Sequence, residues 1–448
     1  MYKLILQFRK KYKTLKWINL FLSAVSTGGF MGNIDYKSQF THLDRWYLFN
    51  NSVGRLTFRE GSSMWSEYVD RRCGNMKLFE VVKGLNRKKL HNKFLLLKNE
   101  SQLLHEKNML QKWSEGLVDK DNKFVREFQE TFHSCFWELF LYRLFKSAGF
   151  DLDQSHQTPD FVIKKPEEVY VEAVIANISK SGKKESERTL EDQLSMMIPP
   201  YLQDDFDMVM REGILRAANA IQSKNNKWLE EYSKKEWICS DRPYIVAMSS
   251  YDQINYGREY IYSMLALLYG FYFNAKTETY EKKNSIIKPN TNQEAEIPIA
   301  LFEREEYQGV SAIIFSCIMT LGKLTSLSIS EGNLSLNVVY NIRENYESGK
   351  YLLQIVSEEN PEDIADGVFI FHNPNAKNKL NENFFRNLCV TQFFLENGEL
   401  VSLGNMTPII ARVNTSMILR NSIEPKLLEN LRMYNKLGFE DFYDIHKR

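Results

Sequence analysis

The segment VYVEAVIA, Val169–Ala176, constrains the fold more than any other part of the sequence. In an extended strand, alternate side chains point to opposite faces, and here both faces are apolar apart from one position. A strand of this kind belongs in the middle of a sheet that is covered on both sides. Glu172 is the exception, and a buried carboxylate needs hydrogen bonds, a cation or a raised pKa. The sequence therefore predicts an α/β fold with a compensated carboxylate inside its sheet.

A second acid faces Glu172 if the preceding strand pairs with this one as a hairpin. The sequence predicts strands over 159–164 and 168–177, joined by the polar turn KKPEE. With the turn centred on Pro166, Asp160 lies directly opposite Glu172, with the two Cβ atoms roughly 4.5–5.5 Å apart. Two such carboxylates repel each other, and a Mg²⁺ ion between them would remove the repulsion. The alternative is another register, with Glu172 neutral or hydrogen-bonded locally.

Two other charged residues lie in apolar helical segments. Glu138 is surrounded by apolar and aromatic residues in CFWELFLY, so its helix is expected to be buried and its carboxylate to have a partner. The alternative is a core glutamate bound to a backbone amide. Lys224 falls on the apolar stripe of a helix predicted over 204–234. Its ammonium either points toward the carboxylates or reaches water while the stem packs.

Three regions are predicted along the chain. Residues 1–120 form a basic, mixed N-terminal region, residues 121–325 form the α/β core with a flexible insertion near 276–298, and residues 326–448 form a β-rich C-terminal portion. Further elements are predicted as a long helix over 124–150 that ends at Gly149, strands over 242–250 and 309–317, and a buried helix over 260–273.

The composition favours a cytoplasmic protein. Five scattered cysteines form no CxxC pair, which suits a reducing compartment. A basic stretch over residues 1–16 precedes an apolar run, Trp17–Val25, that mimics a secretory signal but is short. An amphipathic cytosolic extension is favoured, and a signal or membrane anchor is the alternative. No segment reaches about 18 strongly apolar residues, so neither a spanning helix nor stable membrane contact is expected.

Several stretches resemble the PD-(D/E)xK nuclease superfamily: a helix that carries Glu138, then PDF, then a strand that carries VEA. The likeness is closer to a family of uncharacterised bacterial proteins with that core, some of which carry the label glycosaminoglycan attachment protein. FWELFLY, PDF and VEAV carry it, and it extends over roughly residues 60–400. The resemblance implies a restriction-endonuclease core, with a mixed central sheet flanked by helices. It also implies that Asp160 and Glu172 bind Mg²⁺ or Mn²⁺, and that Glu138 adds an outer or second-metal ligand.

The sequence departs from the superfamily pattern at one catalytic position. The superfamily lysine should stand two residues after Glu172, where this chain has Val174. Some superfamily members supply the cation from a neighbouring helix, which makes Lys224 the candidate and Lys227 its substitute. If neither reaches the site, the fold would bind metal and nucleic acid without cleaving it.

The function that the resemblance implies is metal-dependent phosphodiester hydrolysis of DNA, with RNA as the second choice, in bacterial defence against phage. One rival is a degenerate nuclease fold that acts as a binding or regulatory module, and another is a structural protein whose acids are satisfied internally. The net charge is +1, so phosphate contacts must come from local patches. The segment 83–98 has six Lys or Arg and no acid, and is either such a patch or a solvated helix face. A homodimer would suit the 13% aromatic content.

Overall fold

The computed structural model describes residues 76–176, 183–189, 198–251, 253, 255–289 and 295–435, within which it contains eight α-helices and fifteen β-strands. The helices are α1 (Asn92–Asn99), α2 (Leu104–Trp113), α3 (Phe124–Glu130), α4 (His133–Ser147), α5 (Phe206–Glu230), α6 (Tyr262–Tyr269), α7 (Leu321–Ser330) and α8 (Arg420–Tyr434). The strands are β1 (Asp151–Asp153), β2 (Phe161–Lys165), β3 (Val169–Ala176), β4 (Tyr244–Ser250), β5 (Phe271–Asn274), β6 (Thr279–Lys282), β7 (Ser285–Ile287), β8 (Glu296–Pro298), β9 (Ala312–Ser316), β10 (Asn337–Asn345), β11 (Lys350–Ile355), β12 (Phe369–His372), β13 (Thr391–Glu396), β14 (Glu399–Gly404) and β15 (Ile409–Ser416).

Eight of the strands form one mixed sheet, in the order β1-β2-β3-β4-β9-β12-β13-β14. β2 and β3 form an antiparallel hairpin, whereas β3, β4 and β9 run parallel to one another. Parallel neighbours need crossover connections, which are usually helical. Here α5 lies in the connection from β3 to β4, and α6 lies in the connection from β4 to β9. The two-sided apolar strand β3 thus has a partner on each side, as its sequence predicts.

Each face of this sheet is covered by its own hydrophobic core. On one face, Val169 and Val171 of β3 pack in a cluster with the aromatic side chains of α4. On the other face, Tyr170 packs in a cluster with the apolar stripe of α5, which includes Ile221 and Trp228. The structure therefore confirms a mixed α/β fold with a large central sheet flanked by helices.

The predicted helix over 124–150 is two helices, and the prediction of one continuous helix was wrong. Phe132 separates α3 from α4 with a φ of 53°, in the left-handed region. Its buried ring contacts Phe128 of α3 and Phe136 of α4, each with ring centroids 5.2 Å apart. The turn lets both helices bury their aromatic residues in one core. The predicted end is confirmed, because α4 ends at Ser147 and Gly149 follows with a φ of 77°.

The described residues near the predicted insertion form two small sheets. β5 pairs with β6, and β7 pairs with β8, in two-stranded antiparallel sheets. The buried helix predicted over 260–273 is shorter, because α6 ends before Gly270, which has a φ of 75°, and β5 follows directly. Any Cβ at residue 270 would lie 2.6 Å from the Lys283 backbone oxygen, so this turn requires glycine.

The described part of the C-terminal portion contributes to two sheets. β12, β13 and β14 extend the central sheet, while β10, β11 and β15 form a separate three-stranded sheet. The described strands beyond residue 325 belong to the same compact unit as the strands of the core. The regional boundaries predicted at 120 and 325 stay predictions.

The predicted signal or anchor at Trp17–Val25 lies outside the described residues. Among the residues that the structure describes, no helix combines the length and the apolar character needed to cross a membrane.

Candidate functional site

The hairpin register brings Asp160 beside Glu172. Phe161 pairs with Val171 and Ile163 pairs with Val169, which is the register expected for a turn centred on Pro166. Asp160 comes immediately before β2, and its backbone N–H donates to Glu172 Oε2 at 3.3 Å. The carboxylate of Asp160 accepts from the Ala173 backbone N–H at 2.7 Å. The predicted pairing of the two acids is therefore confirmed, and the alternative register was wrong.

Glu172 is almost completely buried, and three donors surround its carboxylate. Besides the Asp160 amide on Oε2, the other oxygen Oε1 accepts from Lys224 Nζ at 2.6 Å and from the Tyr232 hydroxyl at 3.1 Å. The short bond from the Lys224 ammonium is charge-assisted, and such bonds are stronger than hydrogen bonds between neutral groups. They compensate for the removal of a charged group from water.

Lys224 supplies the cation from α5, the helix that packs on the face of the sheet where Tyr170 lies. Its side chain is 16% exposed, and its ammonium contacts Glu172 instead of reaching out into solvent. The Tyr244 hydroxyl donates to the Lys224 backbone oxygen at 3.2 Å, which ties this turn of α5 to β4. Lys227, the substitute, is exposed, and Val174 carries no charge. The cation beside Glu172 is therefore the predicted one.

Asp160 has a pKa raised to about 7. Burial is the largest cause because it disfavours the charged form, and the charge of Glu172 adds to it; Lys224 and the Ala173 amide act in the opposite direction. A pKa this high means that the nearby donors and cations do not fully compensate the negative charge of the Asp160 carboxylate. This is the situation that a bound cation relieves.

Glu138 lies on α4, within electrostatic reach of both acids. Burial raises the pKa of its carboxyl well above the usual range, and the charges of Asp160 and Glu172 raise it further. The site thus has two carboxyl groups with a raised pKa, those of Glu138 and Asp160, and a third carboxylate, Glu172, that hydrogen bonds compensate. Oxygen donors of this kind suit a hard divalent cation. In the described ranges, however, no three His, Cys, Asp or Glu side chains converge closely enough to form a metal-binding group. Two carboxylates are therefore in place, and ligation by Glu138 stays a prediction.

Sequence reasoning missed two residues of the site. Lys120 donates from Nζ to the Asp160 backbone oxygen at 3.0 Å, and burial lowers its pKa while the charges of Asp160 and Glu138 oppose that effect. Tyr232 lies just after α5, and burial together with the charge of Glu172 raises its pKa. Lys120 stands in the charged stretch DKDNK, and that charge was the one available signal. Nothing in the sequence marks Tyr232.

Together, the fold and the site define a mixed α/β protein with paired carboxylates and a lysine at the first strands of its central sheet. The chain matches no protein-family model, and comparisons with curated proteins and with solved structures likewise found no match. Likeness to a nuclease core therefore rests on the motifs quoted above.

Proposed function

We propose that this protein is a metal-dependent nuclease that hydrolyses phosphodiester bonds of DNA, with RNA as the second choice, in the cytoplasm of a bacterium that it helps to defend against phage. The observation that carries the proposal is the meeting of Asp160, Glu172 and Lys224 at one point, with 2.6 Å between the ammonium and the Glu172 carboxylate. Buried titratable groups with shifted pKa values and specific charge partners are typical of functional sites.

Asp160 and Glu172 are the proposed holders of Mg²⁺ or Mn²⁺, with Glu138 as an outer ligand. When bound, the cation would polarise the scissile phosphate and lower the pKa of a coordinated water molecule. In this proposal Lys224 stabilises the negative charge that develops on the phosphate. The Ala173 amide holds the Asp160 carboxylate, and the Tyr232 hydroxyl holds that of Glu172, so both acids keep fixed positions.

A degenerate nuclease fold that binds nucleic acid without cleaving it is the second candidate. Val174 replaces the superfamily lysine, and Lys224 forms an ion pair with Glu172 that a cation would have to share or displace. This candidate predicts metal-dependent stabilisation of the protein with no cleavage of any substrate.

The decisive experiment is cleavage of supercoiled DNA, linear DNA and RNA by the purified protein in Mg²⁺ or Mn²⁺. The wild type is compared with Asp160→Ala/Glu172→Ala, with Lys224→Ala and with Asp151→Ala, an exposed aspartate on β1 that serves as the matched control. We expect metal-dependent cleavage by the wild type and the control, and none by the double variant.

The melting temperature in Mn²⁺ separates the two candidates. Stabilisation of the wild type but not of the double variant, without cleavage, supports the binding module. Equal melting temperatures with and without metal for both proteins would rule out the paired-carboxylate metal site altogether.

A further inference from the structure

A flat aromatic surface lies beside the paired carboxylates. The rings of His156 and Trp237 stack with their centroids 4.6 Å apart and their planes within 3° of parallel. Trp237 is 39% exposed, which is unusual for the largest apolar side chain. The two residues come from different segments, the loop before β2 and the segment after α5, so the stack is a product of tertiary structure. We refer to His156 and Trp237 as the aromatic platform.

A lysine connects this platform to the carboxylates. The Lys235 ammonium lies 5.2 Å from the Trp237 ring centroid and 5.1 Å from that of Tyr232, whose hydroxyl contacts Glu172. Lys235 also donates to the Thr158 hydroxyl, two residues before Asp160, and the Trp237 indole N–H donates to the Thr158 backbone oxygen at 3.4 Å. The platform is thus held against the segment before β2 that carries Asp160.

We propose that the aromatic platform is a binding subsite for an unpaired nucleobase, and that Lys235 contacts a phosphate of the same strand. This inference rests on the proposed function for its choice of nucleic acid. Base stacking on exposed aromatic rings, next to a cation that neutralises the backbone, is the physical basis of single-strand binding. Trp237 is partly exposed, so the stacked pair presents aromatic surface to solvent, and stacking on such a surface selects strand state and not sequence.

Because a base must stack on the aromatic platform, the proposal favours substrates that contain unpaired bases. A base inside a duplex is already stacked on both sides, so it can reach the platform only after unpairing. Single-stranded regions, frayed ends and flaps are therefore the preferred substrates. Glu231 pairs with Lys235 at 3.0 Å and is itself exposed, so its carboxylate returns to water when a phosphate takes its place beside Lys235.

The test measures binding without cleavage, in EDTA, by fluorescence anisotropy with labelled homothymidine strands, the same strands with abasic sites, and a duplex. Wild-type protein is compared with Trp237→Ala, Trp237→Phe and Tyr280→Ala; Tyr280 is 45% exposed on β6 and serves as the control aromatic residue. We expect Trp237→Ala to weaken single-strand binding by roughly 5-fold to 100-fold, the equivalent of one stacked base. Trp237→Phe, Tyr280→Ala and duplex binding should change little, and the abasic strand should bind the wild type as weakly as the intact strand binds Trp237→Ala.

Three results overturn the proposal: single-strand binding that Trp237→Ala leaves unchanged, an equal loss of duplex binding, or no single-strand binding by the wild type. The Trp237→Phe variant keeps an aromatic ring at this position. Normal single-strand binding by this variant would show that the loss in Trp237→Ala does not come from misfolding. Because binding is measured without metal, single-strand binding by a protein that never cleaves would contradict the nuclease proposal alone. Metal-dependent cleavage with unchanged binding by Trp237→Ala would contradict the subsite alone.

Discussion

Glu172 shows how a single charged residue is kept in the interior of a protein. Its carboxylate accepts hydrogen bonds from the Asp160 amide, the Lys224 ammonium and the Tyr232 hydroxyl. An ion pair of this kind contributes little net stability compared with apolar residues of the same volume, because both charges must leave water. Removal of one partner is a different matter, since it leaves the other charge buried and uncompensated.

Lys224→Ala is therefore expected to lower the free energy of unfolding by about 3 kcal/mol, the usual loss when one member of a buried pair is removed. Lys227→Ala, on the exposed face of the same helix, should change it by less than about 0.5 kcal/mol. Urea denaturation in EDTA measures both values. Equal denaturation midpoints for the two variants would show that Glu172 does not depend on Lys224.

His372 is a buried residue with a structural environment. Its Nε2 lies 2.9 Å from Gln392 Oε1, and its ring stacks on Phe394 with centroids 4.1 Å apart. Burial is the largest influence on the ring and lowers its pKa from 6.5 to about 4. The folded protein thus keeps this imidazole neutral at pH values where the unfolded chain protonates it.

The stability that His372 contributes is complete above about pH 6.5 and is lost as the pH falls toward 4, because only the unfolded chain takes up the proton in that range. Each pH unit corresponds to about 1.4 kcal/mol, so the total loss is roughly 3 kcal/mol. In His372→Gln the stability profile between pH 7 and pH 4 should be flatter than in the wild type. The partly buried His105 offers a control, and a His372→Gln profile parallel to that of the wild type would contradict this assignment.

At the scale of whole elements, local patterns predicted the hairpin and missed a helix boundary. The register of β2 against β3 follows from the turn at Pro166 and the apolar alternation, both readable from neighbouring residues. The break at Phe132 has no proline or glycine to mark it. It arises because the rings of Phe128 and Phe136 meet around Phe132 in the folded core, which no local pattern encodes.

The same division between local and distant information applies to the candidate site. Asp160 and Glu172 were predictable because both belong to one hairpin. Lys224 could be named as a candidate because it breaks an apolar helical stripe, but the stripe left the direction of its ammonium open. Lys120 and Tyr232 meet their partners across 40 and 60 residues of sequence. Such contacts depend on how helices and loops settle on the sheet, and only the tertiary structure reveals them.

The end of α4 provides a test of backbone conformation alone. Gly149 has a φ of 77°, and a Cβ built there would meet nothing within 4 Å. We expect Gly149→Ala to lower the free energy of unfolding by about 1 kcal/mol, because alanine is strained in the left-handed conformation even where its Cβ has room. Gly149→Asn should lower it less, because asparagine tolerates this region. Thermal denaturation of both variants checks the order, and an alanine variant as stable as the wild type would contradict it.

Considered as a whole, the molecule carries almost no net charge, so long-range attraction to a polyanion must come from local clusters. The predicted basic segment 83–98 divides in the structure. Lys93 pairs with Glu185 at 2.6 Å and Lys98 donates to the Phe79 backbone oxygen, so these two stabilise the fold. The four remaining basic residues are exposed on the surface: Lys83, Arg87, Lys88 and Lys89.

If the exposed four contact phosphates, Lys88→Ala/Lys89→Ala should weaken nucleic-acid binding and reduce the slope of log K against log salt by between about 1 and 2. Lys350→Ala, at an exposed position on β11, is the control. Anisotropy titrations at several salt concentrations give the slopes. An unchanged slope in the double variant would mean that the segment is a solvated surface with no role in binding.

The order of strands in the central sheet also determines when the protein can acquire its site during synthesis. The carboxylates lie just before β2 and on β3, but the sheet around them is completed by β9 and by β12 to β14, which end at Gly404. At roughly 5–20 residues per second, a ribosome needs on the order of ten seconds or more to pass from Ala176 to Gly404. Until Ser250 has been made, the two-sided apolar strand β3 lacks its partner β4, and after Ser316 the sheet still lacks three of its eight strands. A fragment that stops after α5 would contain every proposed metal-binding residue and would still lack the sheet that holds them in place.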